Sequence, residues 1–509
     1  MVIATLFISL AVLIVIGAPI AVCIGFAPIA ALVADGQASQ LFVAAQRMVT
    51  ALDSTVLVAI PLFVLAGVIM GKGGISKQIV NLCYELFGWM PGSLGVVTVI
   101  ACMFFAAISG SAPATVAAIG GILIPQMIDD GYPAGFSAAL AASAGIIGCI
   151  IPPSIPFVNY ALITGESVSD LFAAGVVPGI LMGVVLCIWT VILANKYGWG
   201  SRKKGISLRG VWKAFCSAIY AILMPVIILG GIYGSIFTPT EAAAVSVVYG
   251  LFVGIFIYKE IKLKDLWDLM VDSAKTTGGI MLIVASASLF SFVCTKFGIA
   301  QAASDLLGSV AHNQFVFLLI VNIIFLIAGC FIDANSAMYI FIPIMLPVCK
   351  ALGYDLVAFG IVATVNLAIG QVTPPVGVNL FVAISVKLKK GMEVTIQQIS
   401  KAVMPMIAAS VAVLLLITYV PQISTFLPKA LAKDGAYTGT VAAATNSDTS
   451  SGDGADGSTA GNSSGNEDYN DIADYSDLGW EEQTWNFTCS TTENSTWAEG
   501  GRKFGELME

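Results

Sequence analysis

The sequence predicts an all-α integral membrane fold. It has two inverted repeats, about nine spans of which two are broken, and two re-entrant hairpins. Three observations predict it. First, 58% of the 509 residues are hydrophobic and 11% are charged, where a soluble domain carries about 25% charged. Second, apolar runs long enough to span recur along the whole chain, and some are interrupted by Pro-Pro pairs or small polar residues. Third, the interruptions come in two sets that repeat each other. With a mean hydropathy of +0.91, the chain belongs in a lipid bilayer. Soluble enzymes, nucleic-acid-binding proteins and secreted disulfide scaffolds are set aside on the same ground.

The uninterrupted runs lie at 4–33, 55–71, 171–194, 215–234, 241–257, 277–295 and 401–420. Residues 1–34 carry no charge, so the first run lacks the basic residues that precede a signal peptide's core and reads as a retained first helix. Two longer runs, 134–165 and 356–386, are broken by Pro152-Pro153 and Pro374-Pro375. Two more, 93–129 and 315–350, carry Ser109-Gly110-Ser111-Ala112-Pro113 and Asp333-Ala334-Asn335-Ser336 at their centres. Segments 75–90 and 259–272 set charges beside Leu, Ile and Trp and read as helices lying in the membrane interface. Trp89 and Trp212, near span ends, read as interfacial anchors. Thr238-Pro239-Thr240-Glu241 is a capping box that opens the run 241–257.

The repeat is gapless. Pro125, Gly131, Tyr132, Gly148, Pro152 and Pro153 fall on Pro347, Gly353, Tyr354, Gly370, Pro374 and Pro375 at one offset of 222 residues. The run 55–71 falls on 277–293 at the same offset. The chain therefore divides into a first repeat (1–214), a second (215–430) and a tail (431–509). If 93–129 and 315–350 enter and leave on one side, five full spans separate them, and an odd number inverts the second repeat. The positive-inside rule agrees. With the basic loop 195–214 inside, 16 basic residues fall inside, and only Arg47, Lys296, Lys350 and, next to the tail, Lys429 fall outside. This puts the N-terminus inside and the C-terminus outside.

The net charge of −8 belongs to the tail, where residues 431–509 hold 15 acidic and 3 basic residues. Rich in Gly, Ser, Thr, Asp and Asn, the tail reads as disordered. Its Asn-x-Ser/Thr triplets at 462, 486 and 494 are acceptors only in a secretory pathway. The ten cysteines include no Cys-x-x-Cys and read as packing residues. One histidine, His312, argues against His-based metal or proton chemistry. No Walker A sequence, haem motif or Ser/His/Asp arrangement is present, so the chain is not read as an enzyme. Any pumping must draw on an ion gradient and not on ATP.

A helix broken at mid-depth exposes backbone groups that lipid cannot satisfy, so breaks are kept where they line a cavity or bind something. A Pro-Pro pair alone could be a kink. Four breaks, paired by a repeat, are the sequence mark of a transport site. The first pair joins Ser109-Gly110-Ser111 to Gly148 and Ile151-Pro152-Pro153-Ser154, with Asn159 and Tyr160 beyond. The second joins Asp333-Ala334-Asn335-Ser336 to Gly370-Gln371-Val372-Thr373-Pro374-Pro375, with Gly377 and Asn379 beyond. Hydroxyl, amide and freed carbonyl oxygens are hard donors suited to sodium, and half-helix N-termini suit a carboxylate. Asp333, an ionisable residue at a hairpin tip, is the most informative single residue.

Four stretches carry a resemblance: SGSAPATVAAIGGILIPQM, IIPPSIPFVNYALITGESVSDLFAAGVVPGIL, FTPTEAAA and NLAIGQVTPPVGVNLFVA. They resemble the large membrane subunit of tripartite ATP-independent periplasmic (TRAP) transporters, dicarboxylate type, over roughly residues 1–430. The resemblance implies a sodium-coupled secondary importer of organic acids in the bacterial inner membrane, working by an elevator mechanism. It implies two partners, a small membrane subunit on a separate chain and a periplasmic substrate-binding protein. It implies sodium-site residues Ser109, Gly110, Ser111, Gly148 and Pro152 in the first repeat, and Asp333, Asn335, Gly370, Thr373 and Gly377 in the second. Substrate would sit near Ser154, Asn159 and Asn379. Other readings of the same residues are a stand-alone ion-coupled carboxylate carrier or sodium/proton antiporter and, less well, a membrane scaffold or membrane enzyme.

Overall fold

The structure is a computed structural model that describes residues 2–201, 205–299, 314–388 and 394–431. The acidic tail, with its Asn-x-Ser/Thr triplets and Cys489, lies outside the described residues, as do His312 and Arg202, Lys203, Lys204, Lys389 and Lys390. The chain divides by its contacts after residue 444, and everything below concerns the first unit.

Regular structure among the described residues is helical throughout. Eight helices are long and apolar enough to cross a membrane, or nine with the bent pair Ala59–Lys72 and Ile75–Phe87. The number agrees with the sequence reading, but the membership differs. Five match predicted spans: Val168–Tyr197, Leu208–Tyr233, Pro239–Ile257, Asp265–Lys296 and Ile396–Tyr419. The other three, Ala112–Asp129, Gln314–Phe331 and Ala334–Ala351, are hairpin arms.

Two expectations are corrected. The run 4–33 is not one span but two helices, Val2–Ile16 and Ile20–Ala34, packed on each other. Gly17 takes φ +83° and Pro19 is extended, so the chain reverses between them. At 15 residues each is about 22 Å long, short of a hydrocarbon core about 30 Å thick. Both halves are equally apolar, and composition hides the turn. The interface helix expected at 259–272 is also not separate. Asp265–Lys296 is one unbroken helix of 32 residues that merges this segment with the span 277–295. The segment expected at 75–90 is a separate helix. Gly73-Gly74, with Gly74 at φ +77°, ends one helix, and Ile75–Phe87 leaves at 64°. That arm buries Ile75, Ile79, Val80, Leu82 and Cys83.

Both hairpins fold back on themselves. In the first, Ser93–Ser109 reaches the tip, Gly110 turns it at φ +64°, and Ala112–Asp129 returns. Thr98 Oγ1, low on one arm, is 3.3 Å from the Met127 sulfur, low on the other. Both feet are fastened to one residue. The Ser93 hydroxyl donates to the Ser201 carbonyl (2.8 Å), and the Asp130 carboxylate accepts from the Ser201 N–H (2.9 Å) and hydroxyl. The second hairpin, Gln314–Phe331 and Ala334–Ala351, is fastened likewise. The Tyr419 hydroxyl donates to the Phe315 carbonyl (3.3 Å), and the Tyr354 hydroxyl donates to the Thr418 carbonyl (2.9 Å).

The two bases lie at opposite ends of Ile396–Tyr419. Gln398 and Lys401, at its start, share a cleft with Phe136, Tyr197 and Trp199 beside the first base, while Thr418 and Tyr419 hold the second. Twenty-four helical residues span about 36 Å, enough to cross the bilayer core. The hairpins therefore enter from opposite faces. The Gly-Tyr pairs of the repeat find their reason here. Gly131 (φ +89°) and Gly353 (φ +67°) turn the chain, and Tyr132 and Tyr354 are buried at the two bases.

The two runs broken by Pro-Pro are broken in space. Ala134–Gly145 tightens into a 3₁₀ turn at Ile146–Cys149 and restarts as Ile155–Thr164. Leu356–Gly370 restarts as Val378–Ile384. Both Pro-Pro bonds are cis. The expected capping box is formed: Thr238 Oγ1 accepts from the Glu241 N–H, and the Glu241 carboxylate accepts from the Thr238 N–H (2.8 Å). A helix the sequence reading left out, Gln422–Leu431, packs against Val168–Tyr197 and Ile396–Tyr419.

Candidate functional site

Each hairpin tip docks on the break of its own repeat. The Gly110 carbonyl accepts from the Ile155 N–H (3.2 Å), and a Cβ at Gly110 would stand 2.7 Å from the Pro153 carbonyl oxygen. Glycine is required there both by φ and by this approach. Ser109 Oγ and Thr115 Oγ1 are 2.7 Å apart, and Thr115 Oγ1 also donates to the Ser111 carbonyl (2.9 Å). Gly148 lies against the same group, where a Cβ would fall 2.4 Å from Thr115 Oγ1 and 2.7 Å from the Ser111 oxygen. Three oxygens from residues 109, 111 and 115 thus cluster at the first tip. Pro152 is buried in the break behind them.

In the second repeat Asp333 caps the returning arm. Its carboxylate accepts from the N–H groups of Asn335 (3.1 Å) and Ser336 (3.2 Å) and from the Ser336 hydroxyl. Gly370 meets Gly329 backbone to backbone, so a Cβ on Gly370 would lie 2.4 Å from the Gly329 Cα. The Gly377 N–H donates to the Cys330 carbonyl (3.4 Å), with Gly377 at φ +56°. Thr373 Oγ1 donates to the Ile369 carbonyl (2.9 Å) and keeps its lone pairs. Asn379 is fully buried, and neither atom of its side-chain amide has a hydrogen-bond partner; Gln371, with an equally orphaned Oε1, receives the Asn379 N–H on its backbone carbonyl (3.0 Å). Orphaned buried amides are costly, and two of them stand side by side at this break.

The repeats meet across a short bridge. Asn159 Nδ2 donates to Asn335 Oδ1 (2.8 Å), and the Tyr339 hydroxyl donates to Asn159 Oδ1 (3.0 Å). The Tyr160 hydroxyl reaches the Leu356 carbonyl (2.7 Å). A cavity of about 580 Å³ opens at this junction. Ser109, Gly110, Ser111, Asp333, Asn335 and Gln371 line it, and Lys72 is its one basic residue among the described residues.

Five of the thirteen sequence candidates therefore face the cavity: Ser109, Gly110, Ser111, Asp333 and Asn335. Gly148, Pro152, Gly370, Thr373 and Gly377 stand behind the tips. Ser154, expected near substrate, is fully buried. Its hydroxyl donates to the Cys149 carbonyl (2.6 Å) and accepts from the Phe157 N–H, so it caps the restarted half-helix. Asn159 joins the two repeats. Three residues were missed. Thr115 is one helical turn beyond Ser111. Gln371 was visible in the broken motif. Lys72 carried no signal, because only folding brings it to the cavity.

A family model matches residues 7–423. It describes the tripartite ATP-independent periplasmic transporter, DctM component. The chain belongs to this family. It is a TRAP transporter large permease and a multi-pass membrane protein of bacterial type. The permease is 40% identical over 401 residues to the C4-dicarboxylate large permease DctM of Rhodobacter capsulatus, covering 76% of this chain and 90% of that one. It is 34% identical to the sialic acid large permease SiaM of Vibrio cholerae, covering 81% and 95%. It is 44% identical to the isethionate permease DctMQ of Oleidesulfovibrio alaskensis, covering 83% of this chain but only 65% of that longer protein. Among solved structures, the Alcanivorax borkumensis YdaH transporter superposes with a TM-score of 0.53 at 15% identity, covering 78% and 90%. The Neisseria gonorrhoeae MtrF pump gives 0.52 at 15% identity, covering 76% and 85%. At that identity they show the fold alone.

Proposed function

We propose that this permease imports organic acid anions across the bacterial inner membrane, coupled to sodium. A small membrane subunit on a separate chain and a periplasmic substrate-binding protein would complete it. The observation that carries the reading is the meeting of both hairpin tips and both breaks at one cavity. The named relatives handle C4-dicarboxylates, sialic acid and isethionate, all organic anions.

The chemistry follows from the donors. The oxygens of Ser109, Ser111 and Thr115 beside Gly148 suit a hard monovalent cation. So do the Asp333 carboxylate and the oxygens around Gly370, Thr373 and Gly377. Sodium held there would bring positive charge beside the cavity, and the anion would then be held by that charge, by the half-helix N-termini and by Gln371. Binding of each ion raises the affinity of the other, which is the thermodynamic content of coupling.

An elevator movement fits the bonding. The hairpins, the broken helices and Ile396–Tyr419 are tied to each other through Ile155–Gly110, Asn159–Asn335, Tyr160–Leu356 and Tyr354–Thr418, and Val168–Tyr197 packs with them. The other helices are tied among themselves through Thr240–Thr55, Tyr249–Tyr220 and Tyr258–Ser217. Between the two groups lie smooth contacts, such as Phe63 edge-on to Phe172 and Gly67 against the Ser109 backbone. Such a boundary permits sliding of one rigid group past the other. With the basic loops inside, the cavity at Lys72 opens inward.

The test is uptake into proteoliposomes holding this chain and its small partner. Labelled succinate, sialic acid and isethionate would be offered with and without binding protein and an inward sodium gradient. Uptake that needs both supports the reading. Uptake with sodium alone would establish a stand-alone carrier, and uptake indifferent to sodium would overturn the coupling.

A further inference from the structure

A second cavity, of about 490 Å³, lies on the face opposite Lys72. Thr50 and Ser54, before the helix that ends at Lys72, line it with Ser291 and Thr295, near the end of the helix that begins at Asp265. Tyr339 closes its inner wall. Tyr339 bonds Asn159 and Asn159 bonds Asn335, which lines the first cavity, so a short hydrogen-bonded bridge joins the walls of the two cavities. At the 222-residue offset, Tyr339 corresponds to Ala117, which lines the first cavity.

One cation, Arg47, lines the second cavity, and Lys296 follows Thr295 of its wall, where positive-inside reasoning leaves few. The Arg47 guanidinium stands over the Phe292 ring at 5.4 Å, and the Lys296 ammonium stands over the same ring at 5.9 Å. Arg47 and Phe292 line the cavity. Among the described residues no carboxylate lies within salt-bridge distance of either cation. Two positive charges held at one ring raise the local potential, and an anion bound at Arg47 in the cavity would lower it. The hydroxyls of Ser54 and Ser291 supply neutral donors around it, while those of Thr50 and Thr295 donate to the Gln46 and Ser291 carbonyls (2.9 Å each).

We propose that this outer cavity is a capture site for organic carboxylate or sulfonate anions, with Arg47 and Lys296 as its charged recognition groups. It rests on the import reading for its purpose, as a staging point on the fixed wall past which the hairpins move. Its existence as an anion site does not depend on transport.

The test reads local potential directly. Ser291→Cys is made in the permease with its small subunit. Labelling of the introduced thiol by anionic (sulfonatoethyl) and cationic (trimethylammonioethyl) methanethiosulfonates is followed by peptide mass spectrometry. Relative to free cysteine, the anionic reagent should be favoured about tenfold. Arg47→Gln and Lys296→Gln should each cut the ratio, the double variant should bring it to parity, and Arg47→Lys should retain most of it. Millimolar succinate, sialic acid or isethionate should slow the labelling with Arg47 and not with Gln at that position. A ratio indifferent to Arg47→Gln overturns the proposal. So does protection by loaded binding protein but by no free anion, which would make this a protein-docking face. Bias and protection without any import would sustain the site while refuting the import reading; import without bias would do the reverse.

Discussion

Replacing Gly370 by Ala tests whether the second break is positioned by backbone contact. A Cβ there would lie 2.4 Å from the Gly329 Cα and 2.5 Å from its carbonyl carbon, where ordinary contact begins at 3.4 Å. Both atoms belong to backbone and neither can swing away, so the two helices must part by about 1 Å, and overpacking of this kind costs about 1–3 kcal/mol. The separation moves Cys330, which holds Gly377, and through it the tip that presents Asp333. A misplacement of about 1 Å can reduce a rate a hundredfold. We expect sodium-driven uptake in proteoliposomes to fall at least about tenfold, and the unfolding midpoint in detergent to fall by a few degrees. Gly121→Ala, where a Cβ meets nothing within 4 Å, is the control and should be neutral or slightly stabilising. Normal uptake and an unchanged midpoint in Gly370→Ala would refute the argument from close approach.

Three further outcomes are expected. Thr373→Val keeps volume but removes the oxygen behind the second tip, and should raise the sodium concentration for half-maximal uptake several-fold; unchanged sodium activation would remove Thr373 from the ion site. Ser154→Ala deletes an N-cap and should cost about 1 kcal/mol in stability while leaving the apparent KM for the imported anion unchanged, so a raised KM would restore the substrate role read from sequence. Lys72 and Asp272 form an exposed pair at 3.1 Å, both about half exposed, so Asp272→Asn should change stability by less than about 1 kcal/mol. Lys72→Gln removes the cation that lines the cavity at the hairpin tips and should change the maximal rate of uptake; identical rates would mean that Lys72 serves only the ion pair.

Much of this permease was legible in its sequence. Spans announce themselves because lipid admits only helices whose residues are nearly all apolar. The breaks announce themselves because Pro and Gly are costly in such helices unless the site needs them. The 222-residue offset then paired the breaks, and basic residues in the loops gave them an expected orientation. What sequence could not supply was contact. It could not tell that Gly17-Ala18-Pro19 reverses the chain, since both sides are equally apolar, nor that Asp265–Lys296 runs on without a bend. Ser154 and Ser109 looked alike as hydroxyls beside breaks. Only the fold shows one spent on capping and the other facing the cavity. Lys72, Arg47 and Lys296 were read as counts of charge inside and outside. Their positions, one at the cavity between the hairpin tips and two on the ring of Phe292, depend on helices that meet far apart in the chain, and only tertiary packing could bring them there.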